Sequence, residues 1–326
     1  MSYIINSTDI FEYFNHIEIP YIAILIILLI IIIYIYKFYS ISNDKCYKYN
    51  DSDKNILRSK DEETEGLNKV FIKSSFNSCC IGDSKYDYVN LCALDNCYNN
   101  GVRCLDFQIF SLENEPIISS STSSSFEYKE LFNHLSFTET MIYIKNKFIA
   151  GYDEINNEYP LFLNFRIFTN DIIVINKMNK YLKDIFNYKI YIKNDDDQNG
   201  IKKKYNFINK TINELKNKVI IMIDTGSNAE NIKDIENSDL DDIISIKFGS
   251  SNYYSSTSNN IQTINYDDSL SAVFPKNNSK AINYDISQAM SNHYRFIFMN
   301  FQTNDKNLKR YKKKFKGQSF LKDENI

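Results

Sequence analysis

The chain has 326 residues, a formal charge of -3, and 43% hydrophobic and 15% aromatic residues. That suffices for one large domain with a real core plus a separate segment, and so balanced a charge gives no general argument for nucleic acid as a partner. With only 8 glycines and no GxGxxG or GxxxxGK[ST] run, dinucleotide and P-loop nucleotide binding have no motif to rest on.

Residues 1–18 form a short N-terminus that carries Asp9, Glu12 and Glu18 but no Lys or Arg. From Ile19 to Tyr36 the run IPYIAILIILLIIIIYIY is free of charge. At 1.5 Å per residue it reaches roughly 27 Å, close to a hydrocarbon core of about 30 Å, and it predicts a transmembrane helix. Tyr21 stands at one end and Tyr34, Tyr36 and Tyr39 at the other, as rings at a bilayer interface do. No basic n-region precedes it and no A-x-A site follows, which argues against a cleaved signal peptide. Lys37, Lys45, Lys48 and Lys54 follow it, so the positive-inside rule puts the N-terminus outside and the large domain in the cytosol. Cys46, Cys79, Cys80, Cys92, Cys97 and Cys104 lie in the first third; in the cytosol such thiols normally stay reduced, whereas facing a lumen they could pair. Residues 37–66 are polar, lack apolar periodicity and read as a linker.

Short runs rich in Ile, Val and Phe follow. They predict strands at Lys69–Lys73, Arg103–Phe110, Pro116–Ser119, Leu161–Phe168, Lys218–Asp224, Ile244–Phe248, Ala272–Pro275 and Phe296–Gln302. Helices are expected at Tyr86–Asn99, Tyr128–Asn133, Asn176–Phe186 and Asn206–Lys216. Strands alternating with helices over about 260 residues suit a distorted (β/α)8 TIM barrel.

Several segments occur in the order of a known family. They are Ser75-Phe76-Asn77-Ser78, GVRCLDFQIF at Gly101–Phe110, EPIIS at Glu115–Ser119, YPLFLNFRI at Tyr159–Ile167 and LKNKVIIMID at Leu215–Asp224. VFPKN at Val273–Asn277, NYD at Asn283–Asp285 and MNFQTND at Met299–Asp305 continue the series. Together they resemble phosphoinositide-specific phospholipase C, over about residues 69 to 325. The resemblance implies a PLC-like phosphodiesterase barrel with an X-like half at 67–224, a short acidic connection at 225–239 and a Y-like half at 240–326.

Such an enzyme needs a base for the inositol 2-hydroxyl, an acid for the leaving alcohol and positive charge on the phosphoryl oxygens. In the family, two histidines and a carboxylate-bound calcium supply these. Carried over by the resemblance, Phe76 stands at the first histidine and Ser120 at the second, while Asn77 and Asp106 are kept. Gln108 is neutral where a second calcium carboxylate is expected, and Arg166 replaces a third. Met222 and Asp224 fall at phosphate-reading lysines, and Ala272 and Phe274 at an inositol-phosphate-binding Arg and Tyr. No intact catalytic set, no metal and no cofactor are therefore expected. An ion pair of Arg166 with Asp106 across the barrel mouth is expected instead.

The chain has three histidines, His16, His134 and His293. His16 precedes the apolar run, His134 reads as a partly buried structural residue in a helix, and His293 falls before the last strand, at the wrong barrel end. The segment KNLKRYKKKFK at Lys306–Lys316 holds seven basic residues. It reads as a solvated face or as a contact to anionic lipid through Lys309, Arg310, Lys312, Lys313, Lys314 and Lys316. The expected protein is a membrane-anchored, catalytically inactive phospholipase C-like barrel that binds a lipid head group or an unknown protein. Two rivals stand beside it: an active phosphoric diester hydrolase with atypical catalytic residues, and a structural membrane protein, for instance of a large DNA virus.

Overall fold

A computed structural model of the chain describes residues 21–37, 45–46, 63–123, 128–150, 158–192, 207–224, 235–250, 252–263 and 269–324. It has two compact units, Met1–Lys48 and Tyr49–Ile326. In the first, a helix covers residues 21–37 with every side chain exposed. No helix among the described residues is long and apolar enough to cross a membrane. The expected Ile19–Tyr36 span overlaps the described helix at residues 21–36. Its first two residues lie outside the described part. Cys46 in the first unit and Cys92 in the second are each disulfide-bonded. Cys79, Cys80, Cys97 and Cys104 are free and buried.

The second unit contains β1 Val70–Ser75, β2 Cys104–Leu112, β3 Glu115–Ser119, β4 Leu135–Ser136, β5 Leu161–Ile167 and β6 Val219–Asp224. It continues with β7 Ile244–Phe248, β8 Tyr253–Thr257, β9 Leu270–Phe274, β10 Phe296–Met299 and β11 Phe320–Lys322. The helices are α1 Cys92–Asn99, α2 Phe137–Ile144, α3 Ile172–Phe186, α4 Ser287–Ser291 and α5 Lys306–Phe315. Parallel ladders join the strands in the order β7-β6-β5-β2-β1-β10-β9-β8. The two ends of this path meet at a turn, where Gly249 N–H donates to the Tyr253 carbonyl at 2.8 Å. The result is a nearly closed barrel of eight strands.

The strand alternation sorts side chains into two layers. Cys104, Phe162, Ile220, Met222, Leu270, Ala272, Phe274, Phe296 and Phe298 point into the barrel. Leu105, Phe107, Leu163, Phe165, Ile221 and Ile223 face outward against Met141 of α2, Met178 and Leu182 of α3, and Leu308 and Tyr311 of α5. Arg103 is fully buried just before β2. It donates to the carbonyls of Phe148 at 3.1 Å, Tyr159 at 2.5 Å and Pro160 at 3.2 Å, tying β2 to the chain that enters β5. The conspicuous arginine of the GVRC segment is therefore a structural clamp.

Some expected elements are placed differently. Pro116–Ser119 is not a barrel stave but β3, antiparallel to β2. Glu113 and Asn114 between them both have positive φ, 52° and 59°, as a two-residue hairpin turn requires. The eighth stave is β8, YYSST, whose polar, partly exposed side chains carry little strand signal. Tyr128–Asn133 is irregular, and His134 beside it is exposed rather than part of a helix. Helix α2 begins only after Ser136, which caps it by accepting from Glu139 N–H at 3.3 Å. In place of a helix expected over Asn206–Lys216, the described residues form a 3-10 turn at Phe207–Asn209 followed by turns. The domain starts before residue 67, since Glu63 pairs with Lys216 at 2.8 Å. Residues 1–18, most of the linker and residues 225–234 of the acidic connection lie outside the described residues.

Candidate functional site

The register of the ladders gathers the site. Gln108 on β2 lies beside Arg166 on β5, and Arg166 lies beside Asp224 on β6. Because Asp106 is two residues before Gln108 on the same strand, it faces the same barrel interior, next to Asn164. Phe76 and Asn77 follow the end of β1, and Ser120 follows β3.

At the centre is the expected ion pair. The Arg166 guanidinium donates from Nη2 to Asp106 Oδ2 at 2.6 Å and from Nε to Asp106 Oδ1 at 2.9 Å. Asp106 has no exposed side-chain surface and Arg166 retains 12%. Such a bidentate contact is the strong form of a charge-assisted hydrogen bond. The carboxylate also accepts from Asn164 Nδ2 at 2.9 Å and from the Asn77 backbone N–H at 2.9 Å. Asn77 adopts φ 45°, a left-handed conformation that Asn tolerates better than most residues. There its side-chain oxygen accepts from Arg166 Nη2 at 2.5 Å, while its Nδ2 donates to Ser120 Oγ at 3.2 Å.

Above the ion pair is an aromatic lid. The guanidinium carbon lies 4.2 Å from the Phe76 ring centroid and 6.0 Å from that of Phe274. Phe274 in turn stacks on Phe298 with centroids 4.4 Å apart. Desolvated cation–π contacts of this kind contribute up to about 2 kcal/mol. Phe76, Met222, Ala272 and Phe274 all belong to the apolar cluster that fills the barrel. The Gln108 amide is held by the loop after β3: it donates to the Ser121 carbonyl at 3.1 Å and accepts from Ser121 N–H at 2.6 Å. Asp224 accepts from Ser255 Oγ at 3.2 Å, holding β6 to β8.

These contacts define what the site can do. Both oxygens of the one central carboxylate are engaged by Arg166, Asn164 and Asn77. Among the described residues no group of three His, Cys, Asp or Glu side chains could hold a metal. The donor set therefore does not fit calcium. Ser120 has an amide, not a base, as its neighbour. Burial pushes the Cys80 thiol beside it up to about 12, which leaves no thiolate nucleophile there. His293 is bonded through Nδ1 to Asp323 at 2.5 Å, before β10 and so at the end of the barrel opposite the site. His16 lies outside the described residues.

Sequence reading missed Asn164, Phe298 and Ser78, whose Oγ accepts from Asp106 N–H at 2.9 Å. Asn164 was detectable in principle, being two residues before Arg166 on the same strand face. The NYD and NFQT segments meet beside the mouth: Asn283 accepts from Asn300 N–H at 2.6 Å and returns a bond to the Asn300 carbonyl at 3.1 Å.

Helix α5 carries the basic segment. Leu308, Tyr311 and Phe315 are its buried face, while Lys309, Arg310, Lys313, Lys314 and Lys316 are exposed. Lys312 departs from expectation. It lies over the Phe301 ring at 5.6 Å and is half-buried, and burial lowers its pKa.

Comparison with known proteins agrees with this architecture. Residues 64–224 match the model of the phosphatidylinositol-specific phospholipase C X domain. No curated protein matches the chain. Among solved structures, S. officinalis PLC21 superposes with a TM-score of 0.64 at 15% identity, covering 81% of this chain and 38% of that one. L. pealei PLC21 gives 0.63 at 15% identity, with coverages of 81% and 38%. This chain thus spans well under half the length of those two relatives. A calcium-dependent phosphoinositol-specific phospholipase C from Pseudomonas sp. gives 0.53 at 9% identity, covering 83% of this chain and 99% of that one.

The ion pair makes a stability prediction. Arg166→Ala should lower unfolding free energy by about 3–5 kcal/mol, because it strands a buried carboxylate. The double variant Arg166→Met with Asp106→Asn should recover most of that loss. Urea midpoints measure both, and an Arg166→Ala loss under about 0.5 kcal/mol, as at ordinary surface sites, would contradict the pair's role. Through residues 64–224, the chain is similar to the X domain of phosphatidylinositol-specific phospholipase C.

Proposed function

We propose that this protein is a membrane-tethered phospholipase C-like barrel that has exchanged catalysis for binding. The observation that carries the reading is the Arg166–Asp106 ion pair under the Phe76 and Phe274 rings. The catalytic cycle of the family needs a proton acceptor, a proton donor and a cation that a phosphoryl oxygen can reach. Here the cation is a guanidinium already committed to the carboxylate, and the two acid–base positions hold a phenyl ring and a hydroxyl. The Pseudomonas relative is calcium-dependent, whereas the donor set of this mouth does not suit calcium. Its ligand is accordingly a lipid head group or a protein, bound without turnover.

The tether rests on the uncharged run Ile19–Tyr36. Lysines beyond it support a cytosolic barrel by the positive-inside rule, whereas the disulfide bonding of Cys46 and of Cys92 is more at home in an oxidising compartment. Protease added outside intact expressing cells should leave the barrel uncut; digestion of the barrel there would overturn the cytosolic assignment.

Activity gives the main test. Phosphatidylinositol hydrolysis by the purified full chain should be undetectable with or without calcium. Phe76→His with Ser120→His should remain inactive, since Gln108 and Arg166 still deny a metal its ligands. Wild-type turnover that a chelator abolishes would refute the reading and favour an active phosphodiesterase.

A further inference from the structure

The outer face of α5 is a separate feature from the barrel mouth. Lys306, Lys309, Arg310 and Lys313, spaced three and four residues apart, line one open groove of about 430 Å³. Lys314 and Lys316 extend the stripe, and no acidic residue lies between Asp305 and Asp323. Among the described residues only Arg310 of this group forms an ion pair, with Asp285 at 2.8 Å and both side chains about half exposed.

This arrangement opposes folding. Like charges three or four apart on a helix repel one another and destabilise it, and Lys306 and Lys309 stand near the positive end of the helix dipole. The helix nonetheless holds its face rigidly. Asp305 caps it by accepting from Leu308 N–H at 2.8 Å. Tyr311 donates from its buried hydroxyl to the Ile297 carbonyl at 2.9 Å and accepts from Ser74 N–H at 2.8 Å. A fixed, largely uncompensated cationic stripe on a chain of net charge -3 calls for an external anion.

We propose that this stripe is a docking face for an anionic lipid surface. Two observations favour lipid over other polyanions. The outward side chains from Lys306 to Lys316 include no aromatic ring on which bases could stack, because both Tyr311 and Phe315 are buried. Ile282, 56% exposed, belongs to the segment that Asn307 and Asp305 hold against the start of the helix, so an apolar group accompanies the charges. The stripe acts whether or not the mouth hydrolyses lipid.

The test uses the full chain in phosphatidylcholine nanodiscs, with and without phosphatidylserine, and a water-soluble amine-labelling reagent read out by mass spectrometry. Labelling of Lys309 and Lys313 should fall several-fold on the anionic discs and recover at high salt. Lys309→Glu with Lys313→Glu, both at exposed positions, should abolish protection of Lys306 while leaving the circular dichroism spectrum unchanged. Equal labelling on both kinds of disc would overturn the proposal. So would protection by heparin or an acidic protein but not by anionic discs. Retention on neutral discs reports the apolar tether alone, so tether and stripe can fail separately.

Discussion

One buried carboxylate governs this barrel. Asp106 has no exposed surface, and an unpaired charge at such a position would cost several kcal/mol. Something cationic must sit beside it. A chain can recruit a metal ion there, which leaves the cation free to exchange ligands, or it can supply the charge covalently. Here Arg166 reaches across from the neighbouring strand with both ends of its fork on the carboxylate. Once that choice is made, the left-handed turn at Asn77 and the inward amide of Asn164 follow as further donors to the same group, and of the Asn164 amide only the oxygen is left without a hydrogen bond among the described residues.

The second consequence concerns the rim. A guanidinium is weakly hydrated and stacks on aromatic faces, which an ammonium or a hydrated metal does less well. Phe76 and Phe274 suit Arg166 for that reason, and through Phe298 they continue the apolar filling of the barrel up to its mouth. Aromatic residues at these positions are thus coherent with the arginine. A phenyl ring beside a calcium site would have no comparable partner.

Much of this is legible in the sequence, for identifiable reasons. β2, β5 and β6 are largely buried strands in which a few polar residues at alternate positions interrupt an apolar pattern, and their order matches a known family, so the barrel and the Arg166–Asp106 contact follow from strand alternation. Other features are not readable. β8 is a Ser- and Tyr-rich stave that pairs only because β9 presents an edge to it. β3 has the composition of a stave, and only the two positive-φ residues Glu113 and Asn114 turn it back as a hairpin. Lys312 is indistinguishable from its neighbours in a basic run, and only the packing of α5 against Phe301 half-buries it over that ring. His134 reads as helical because FNHLSF has helical spacing, whereas the helix waits for the cap at Ser136.

The central claim is that a guanidinium occupies the place of a metal. Thermal unfolding of the full chain in calcium and in chelator tests it directly, because any ion that binds the folded state raises its stability by mass action. The account predicts superimposable melting curves for the wild type. A melting temperature that rises progressively with calcium, and that loses this dependence in Asp106→Asn, would contradict it.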